Sequence, residues 1–139
     1  MKYMIMLYGS QQAYNIMAGK ATDGTHLTPA DFAPMYEFMT AWNQELVESG
    51  EFVDARGLAA PIHTRRIQLE NGVPVVTDGP YAETEEVLAG YTIVECDSFD
   101  RATEIAAQVT KCPYPAGAPG DFVVDIRPLD EGGDGDLEV

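Results

Sequence analysis

The sequence predicts an α+β domain with a ferredoxin-like antiparallel sheet, two helices on one face of that sheet, and an inserted β-hairpin. Short apolar runs typical of strands alternate with two longer segments of helical periodicity. Between two of the strand-like runs lies an Asn-Gly pair, which is typical of a hairpin turn. The resulting order is β, α, β, hairpin, β, α, β, and two β-α-β units of this kind build one antiparallel sheet.

The length of the chain indicates one domain, and its net charge limits the classes of partner it can bind. A chain of 139 residues with 45% apolar content fits one folded domain, predicted over 1–128. The net charge of −15 argues against nucleic acid as a direct partner, because phosphate binding needs clustered Lys and Arg. Acidic residues and glycines dominate 129–139, which we predict to be a disordered tail. Neither a membrane span nor a signal peptide is recognisable, so a cytoplasmic location is expected.

The first half of the chain contains the first helix. Residues 2–8 read as a strand, residues 11–19 as either a short helix or a loop, and residues 19–28 as a loop. Thr28-Pro29-Ala30-Asp31 is a helix start, in which Thr28 and Asp31 form a capping box and Pro29 takes the first helical position. Apolar residues then recur every three or four positions until Ser49-Gly50: Phe32, Met35, Tyr36, Met39, Trp42 or Asn43, and Leu46.

The second half supplies the remaining strands and the second helix. Residues 51–58 are predicted as a strand, and residues 64–69 and 73–76 as a hairpin around Asn71-Gly72. Pro74 has no donor for a ladder, so its strand should lie at an edge or contain a bulge. Further along we predict a helical turn over 84–88, a strand over 90–96 opened by a sharp turn at Gly90, a helix from Phe99 to about Thr110 capped by Asp97 or Ser98, a loop over 112–120, and a last strand over 122–126.

A family resemblance rests on the stretch between the hairpin and the following strand. Asp78-Gly79-Pro80-Tyr81-Ala82-Glu83-Thr84, followed by Leu88-Ala89-Gly90-Tyr91, resembles the signature of the DGPF branch of the YCII-related proteins. Residues 1–4, 55–58 and 124–128 also fit that pattern. The resemblance implies a dimeric α/β barrel, in which two sheets pair. A sheet covered on one face only independently favours an interface, so we expect a homodimer with a ligand cavity between the sheet and the partner.

The resemblance does not bring a known acid/base pair with it. A better-known branch of the superfamily has a His in the first turn of the first helix and an Asp before a Pro-Tyr pair. The matching positions here are Asp31 and Cys112. The candidate catalytic residues are instead Asp78 and Glu83, because two neighbouring carboxylates can separate their pKa values and act as acid and base. The alternative is that Asp78 binds turn N–H groups and Glu83 caps a short helical turn.

The predicted ligand pocket comprises Asp78, Tyr81, Glu83, Arg56 and Tyr114. An arginine in such a pocket would suit a carboxylate or a phosphate. No metal site or cofactor is expected, because the two histidines and two cysteines do not have zinc-ligand spacing.

Three functions follow as hypotheses. The first is binding of a small organic ligand, and the second is a small lyase or isomerase that uses Asp78 and Glu83. The third is an interaction module, because similar proteins are fused to, or encoded beside, extracytoplasmic-function sigma factors.

Overall fold

The computed structural model describes residues 1–21, 24, 26–115 and 122–131. The described part contains three α-helices and six strands, together with two short 3-10 turns at Pro29–Phe32 and Pro61–His63. In chain order they are β1 (Lys2–Gly9), α1 (Gln11–Met17), α2 (Ala33–Ser49), β2 (Phe52–Gly57), β3 (Arg65–Glu70), β4 (Val73–Asp78), β5 (Val87–Glu95), α3 (Phe99–Val109) and β6 (Val124–Pro128). None of these helices is long and apolar enough to cross a membrane.

The prediction of an α+β domain is confirmed. Four strands form one antiparallel sheet in the order β2-β5-β1-β6. The predicted hairpin is confirmed too, since β3 and β4 form a separate two-stranded sheet from Arg65–Asp78 to Glu70–Val73. Its turn has positive φ angles at Asn71 (50°) and Gly72 (80°), as a tight hairpin turn requires. Both strands of a two-stranded sheet are edges, so Pro74 is tolerated in β4.

The helix start at Thr28 has the predicted form. The backbone N–H of Thr28 donates to Asp31 Oδ2 at 2.7 Å, and the capping box opens the 3-10 turn that leads into α2. The helix ends at Gly50, whose φ of 79° is favourable only for glycine or a similarly permissive residue. For α3 the cap is Ser98, the second of the two candidates, whose hydroxyl accepts from Arg101 N at 3.1 Å.

Both long helices pack on the same face of the sheet. Alternation along β1 turns Tyr3 and Ile5 toward the helices, where they are almost fully buried. The Trp42 indole N–H of α2 donates to the carbonyl of Ile105 in α3 at 3.1 Å, which ties the two helices together. The core comprises Tyr3, Ile5, Trp42, Leu46, Val94, Cys96, Ala102, Ile105, Ala106 and Val109. No helix in the described part of the chain packs on the opposite face of the sheet. Alternate residues of β1 and β5 are therefore partly exposed on that face.

Two predictions about the segment before β5 are wrong. Residues 84–88 do not form a helical turn, because the only local bond there is a reverse turn from Glu85 N to Ala82 O, and β5 already begins at Val87. Pairing of Val87 and Leu88 with Gly9 and Tyr8 of β1 supplies the backbone partners that a helical turn would otherwise provide. Gly90 therefore lies inside a strand and does not open it with a turn.

Other boundaries are refined by the structure. The segment left open between helix and loop is helix α1, capped by Ser10, whose hydroxyl accepts from Ala13 N at 3.1 Å. The last strand lies two residues later than predicted, at Val124–Pro128, because its register against β1 places Pro128 opposite Tyr3. Residues 132–139 of the predicted tail and residues 116–121, which include the end of the predicted loop, lie outside the described part of the chain.

Candidate functional site

A cavity of about 540 Å³ lies between α2 and one end of the four-stranded sheet. Its sheet side includes Leu7, Gly90 and Thr92, which face the helices, and its helix side includes Met35 and Met39 of α2. Most of the lining is apolar or aromatic. The cavity therefore lies on the helix-covered side of the sheet and within one chain, whereas the sequence had indicated the bare face and a partner chain.

Helix α1 forms a further wall of the cavity. The hydroxyl of Tyr14 donates to Leu58 O at 2.9 Å and lies 3.4 Å from Ala89 O, which connects α1 to the ends of β2 and β5. Burial raises the pKa of Tyr14, so the phenol stays protonated as this bond requires. At the start of α1, Gln11 Oε1 accepts from Ile62 N at 2.8 Å. These bonds fix α1 across the end of the sheet and close that side of the cavity.

Few polar groups face the interior of the site. Asn43 lines the cavity from α2, and its Nδ2 donates to Met39 O at 2.9 Å. Its Oδ1 is closed to solvent and accepts no hydrogen bond from any described residue. Thr92, on the sheet side, is 3% exposed. A buried acceptor without a donor is costly. A hydrogen-bond donor from a bound molecule or a water would therefore be favourable at Asn43 Oδ1.

The residues at the opening are aromatic and charged. Tyr36 and Tyr114 are about half exposed, at 53% and 46%, and Glu86 and Arg56 are also exposed. The ring of Tyr114 lies 5.7 Å from that of Phe122, at a tilt of 54°. Partial burial raises the pKa of Tyr114, and the nearby charge of Glu86 raises it further. Tyr114 is therefore a neutral phenol near a carboxylate.

Two of the five predicted pocket residues, Arg56 and Tyr114, line the cavity. Asp78, Tyr81 and Glu83 do not line it. Asp78 lies at the base of the hairpin, where its Oδ1 is 3.2 Å from Arg65 Nε and its side chain is 80% exposed. The structure thus places two of the five predicted pocket residues at the cavity and the other three outside its lining.

The remaining residues of the motif organise the neighbouring loops. The guanidinium of Arg66 lies 5.3 Å from the centroid of the Tyr81 ring. The carbonyl of Glu83 accepts from Gln12 N at 3.0 Å and so holds the start of α1, while its side chain is exposed. Gly79 has a φ of 53°, and its N–H donates to Thr64 O at 2.8 Å across the base of the hairpin. These backbone contacts give the motif a structural role at the junction of hairpin, α1 and β5.

The two positions that replace the acid/base pair of the better-known branch have different surroundings. Asp31 is exposed and bonded to the backbone N–H of Thr28. Cys112 is 8% exposed, lines the cavity, and packs with Phe32 and Met35. Burial raises the pKa of the Cys112 thiol, which favours the neutral and less nucleophilic form. No group of three or more metal-ligating side chains occurs among the described residues.

Sequence reasoning missed Asn43, Glu86, Tyr14 and Tyr36 as lining residues. For Asn43 a signal was present, because it interrupts the apolar stripe of α2 at a core-facing position beside Trp42. The others lie in segments whose packing depends on the path of α1 and on the start of β5, neither of which the sequence determined.

Two comparisons with known proteins bear on this site. A sequence profile described as the YCII-related domain matches residues 1–126, which include every residue named here as lining the cavity. An uncharacterized protein of Rhizobium meliloti (strain 1021) is 28% identical over 91 residues, which cover 66% of this chain and 69% of that protein.

Proposed function

The chain belongs to the YCII-related domain family, and we propose that it binds a small organic molecule in the cavity beneath α2. The motif from Asp78 to Thr84 supports its placement in the DGPF branch of that family.

The cavity itself is the observation that supports this proposal. Protein interiors are normally packed with few voids larger than a water molecule, whereas ligand pockets occupy about 300–1,000 Å³ and combine apolar walls with a few polar groups. The 540 Å³ space lined by Met35, Met39 and Tyr14, with Asn43 and Thr92 among its polar groups, has that character. A bound molecule would bury apolar surface of this lining, which favours binding.

A thermal-shift screen of small metabolites tests the proposal. A ligand present at about 100 times its Kd stabilises the folded state by about 2.7 kcal/mol, which raises Tm by about 5–10 °C for a domain of this size. Ala13→Phe places a ring in the cavity and should abolish the shift. Ala107→Phe, at an exposed position of α3 outside the lining, is the matched control and should keep it. Absence of any shift in the wild type, or an equal shift in Ala13→Phe, would contradict the proposal.

We also propose that the sheet is ferredoxin-like and pairs with a second copy as a dimeric α/β barrel. The strand order β2-β5-β1-β6 supports this arrangement. So does the uncovered face, on which Met4 and Met6 lie beside Ile93 and Tyr91 in the ladder. Light scattering coupled to size exclusion should give the mass of a dimer for the wild type and of a monomer for Met6→Asp. Val47→Asp, on the exposed side of α2, should remain dimeric.

The catalytic use of Asp78 and Glu83, and a sigma factor as partner, stay predictions. An Asp78→Asn variant that folds normally and turns over an identified substrate at the wild-type rate would rule out the role of Asp78.

A further inference from the structure

We infer that the cavity accepts an organic cation, a molecule with an apolar or aromatic body and an amine or ammonium head group. This inference rests on the proposed ligand-binding function and specifies the chemical class of its ligand.

The charges at the cavity favour a cation over an anion. Among the described lining residues, only Arg56 and Glu86 are charged. Arg56 is already engaged, because its Nη1 lies 3.1 Å from Asp54 Oδ1 and donates to Ala55 O at 3.0 Å. Glu86 forms no ion pair with any described residue. The carboxylate is therefore the charge at the opening that has no counterion within the described part of the chain.

The aromatic side chains strengthen the same preference. The face of an aromatic ring carries partial negative charge and attracts ammonium groups. The lining includes the rings of Tyr14, Phe32, Tyr36, Tyr114 and Phe122. Tyr114 and Phe122 meet at a tilt and form a corner at the opening. Glu86 lines the same cavity as this corner, so one ligand can present its head group to the carboxylate and its body to the rings.

The unpaired amide oxygen of Asn43 also favours a ligand that donates hydrogen bonds. The buried Oδ1 of Asn43 is an acceptor that lacks a donor among the described residues. An ammonium brings donors and no acceptor, whereas a carboxylate brings acceptors only. Since Oδ1 is closed to solvent, a small turn of the Asn43 amide would bring it to the donor of a ligand. Cations are also enriched around a chain whose net charge is −15.

The experiment compares three probes of nearly equal size that differ in the head group. Phenethylamine, phenethyl alcohol and phenylacetate are titrated calorimetrically into the wild type near neutral pH. We expect the amine to bind about tenfold more tightly than phenylacetate, since a partly exposed charge and a cation–π contact each contribute several-fold. The alcohol should lie between them.

Two variants connect the preference to the carboxylate. Glu86→Gln should reduce the affinity for the amine about threefold and leave that for the alcohol unchanged. Glu45→Gln makes the same change of charge at an exposed position of α2 outside the cavity, and should leave the preference intact. Phenylacetate binding as tightly as the amine, or equal effects of the two variants, would overturn the inference while preserving the ligand-binding function. Failure of all three probes, combined with an unresponsive metabolite screen, would overturn both.

Discussion

Replacing Gly90 by alanine is expected to weaken the pairing of β2 with β5. A Cβ atom at this position would lie 3.0 Å from the carbonyl oxygen of Arg56 and 3.5 Å from Cα of Gly57. Both contacts are with the backbone of β2, so no change of side-chain rotamer can relieve them. The two strands would have to separate by a few tenths of an ångström, next to the cavity that Gly90 lines.

The magnitude follows from two opposing terms. Overpacking of this kind costs about 1–3 kcal/mol, whereas removing the freedom of glycine from the unfolded chain returns about 0.4–1 kcal/mol. The free energy of unfolding should therefore fall by about 1–2 kcal/mol. For a domain of this size, the corresponding decrease in Tm is about 2–8 °C.

The cross-strand partner of Gly90 is a matched control. Gly57 pairs with Gly90, but a Cβ atom at Gly57 would meet no atom within 4 Å. Gly57→Ala should therefore be neutral or stabilise by about 0.5 kcal/mol. Urea unfolding can be followed through the fluorescence of Trp42, the single tryptophan, which is 3% exposed in the core. Equal shifts of the urea midpoint in the two variants would refute the reasoning.

Three further predictions concern the core, an ion pair and a helix cap. Ile105→Ala, at a fully buried position, should lower the free energy of unfolding by about 3–4 kcal/mol. The same change at Ile67, which is 68% exposed on the hairpin, should cost under about 0.5 kcal/mol, and equal losses in urea titrations would contradict the assigned exposures. The Arg101 guanidinium, at 2.8 Å, lowers the pKa of Glu51 below its ordinary value of 4.5. The ion pair therefore stabilises the folded state above that value, and this stabilisation is lost as pH falls through the folded-state pKa of Glu51. In Glu51→Gln, the urea midpoint should consequently decline less between neutral pH and about pH 3 than in the wild type. Ser98→Ala should cost about 1 kcal/mol by thermal unfolding, because Arg101 N would lose its capping acceptor, whereas Ser98→Asp should restore most of the loss.

Local signals in the sequence predicted the elements whose ends are determined locally. The capping box at Thr28 and Asp31 marks the start of the helical region, and Gly50 marks the end of α2. The Asn71-Gly72 turn and its flanking apolar runs likewise predicted the hairpin. In each case a few adjacent residues satisfy the backbone groups that the element leaves free, so neighbouring segments are not needed to define it.

The start of β5 and the position of the cavity depend on distant partners. The strand begins at Val87 because β1 offers Gly9 and Tyr8 as its antiparallel neighbours, and no pattern within residues 84–88 reveals that pairing. The prediction from sequence identified Arg56 and Tyr114, which line the cavity, but not Asn43. An arginine can be recognised as a candidate ligand contact by type alone, whereas an unpaired amide oxygen is defined only by the packing around it.

The hairpin has a consequence for how this family can vary. All twelve residues of β3 and β4 are exposed, so these strands contribute little to the core that holds the main sheet together. Such a segment should open independently, and its amides should exchange with deuterium well before those of β1 and β5. Because its loss would leave the packing beneath α2 and α3 intact, the hairpin can lengthen, shorten or change its side chains during evolution without a matching change in the core. Changes of side chain on the hairpin should therefore cost little folding stability.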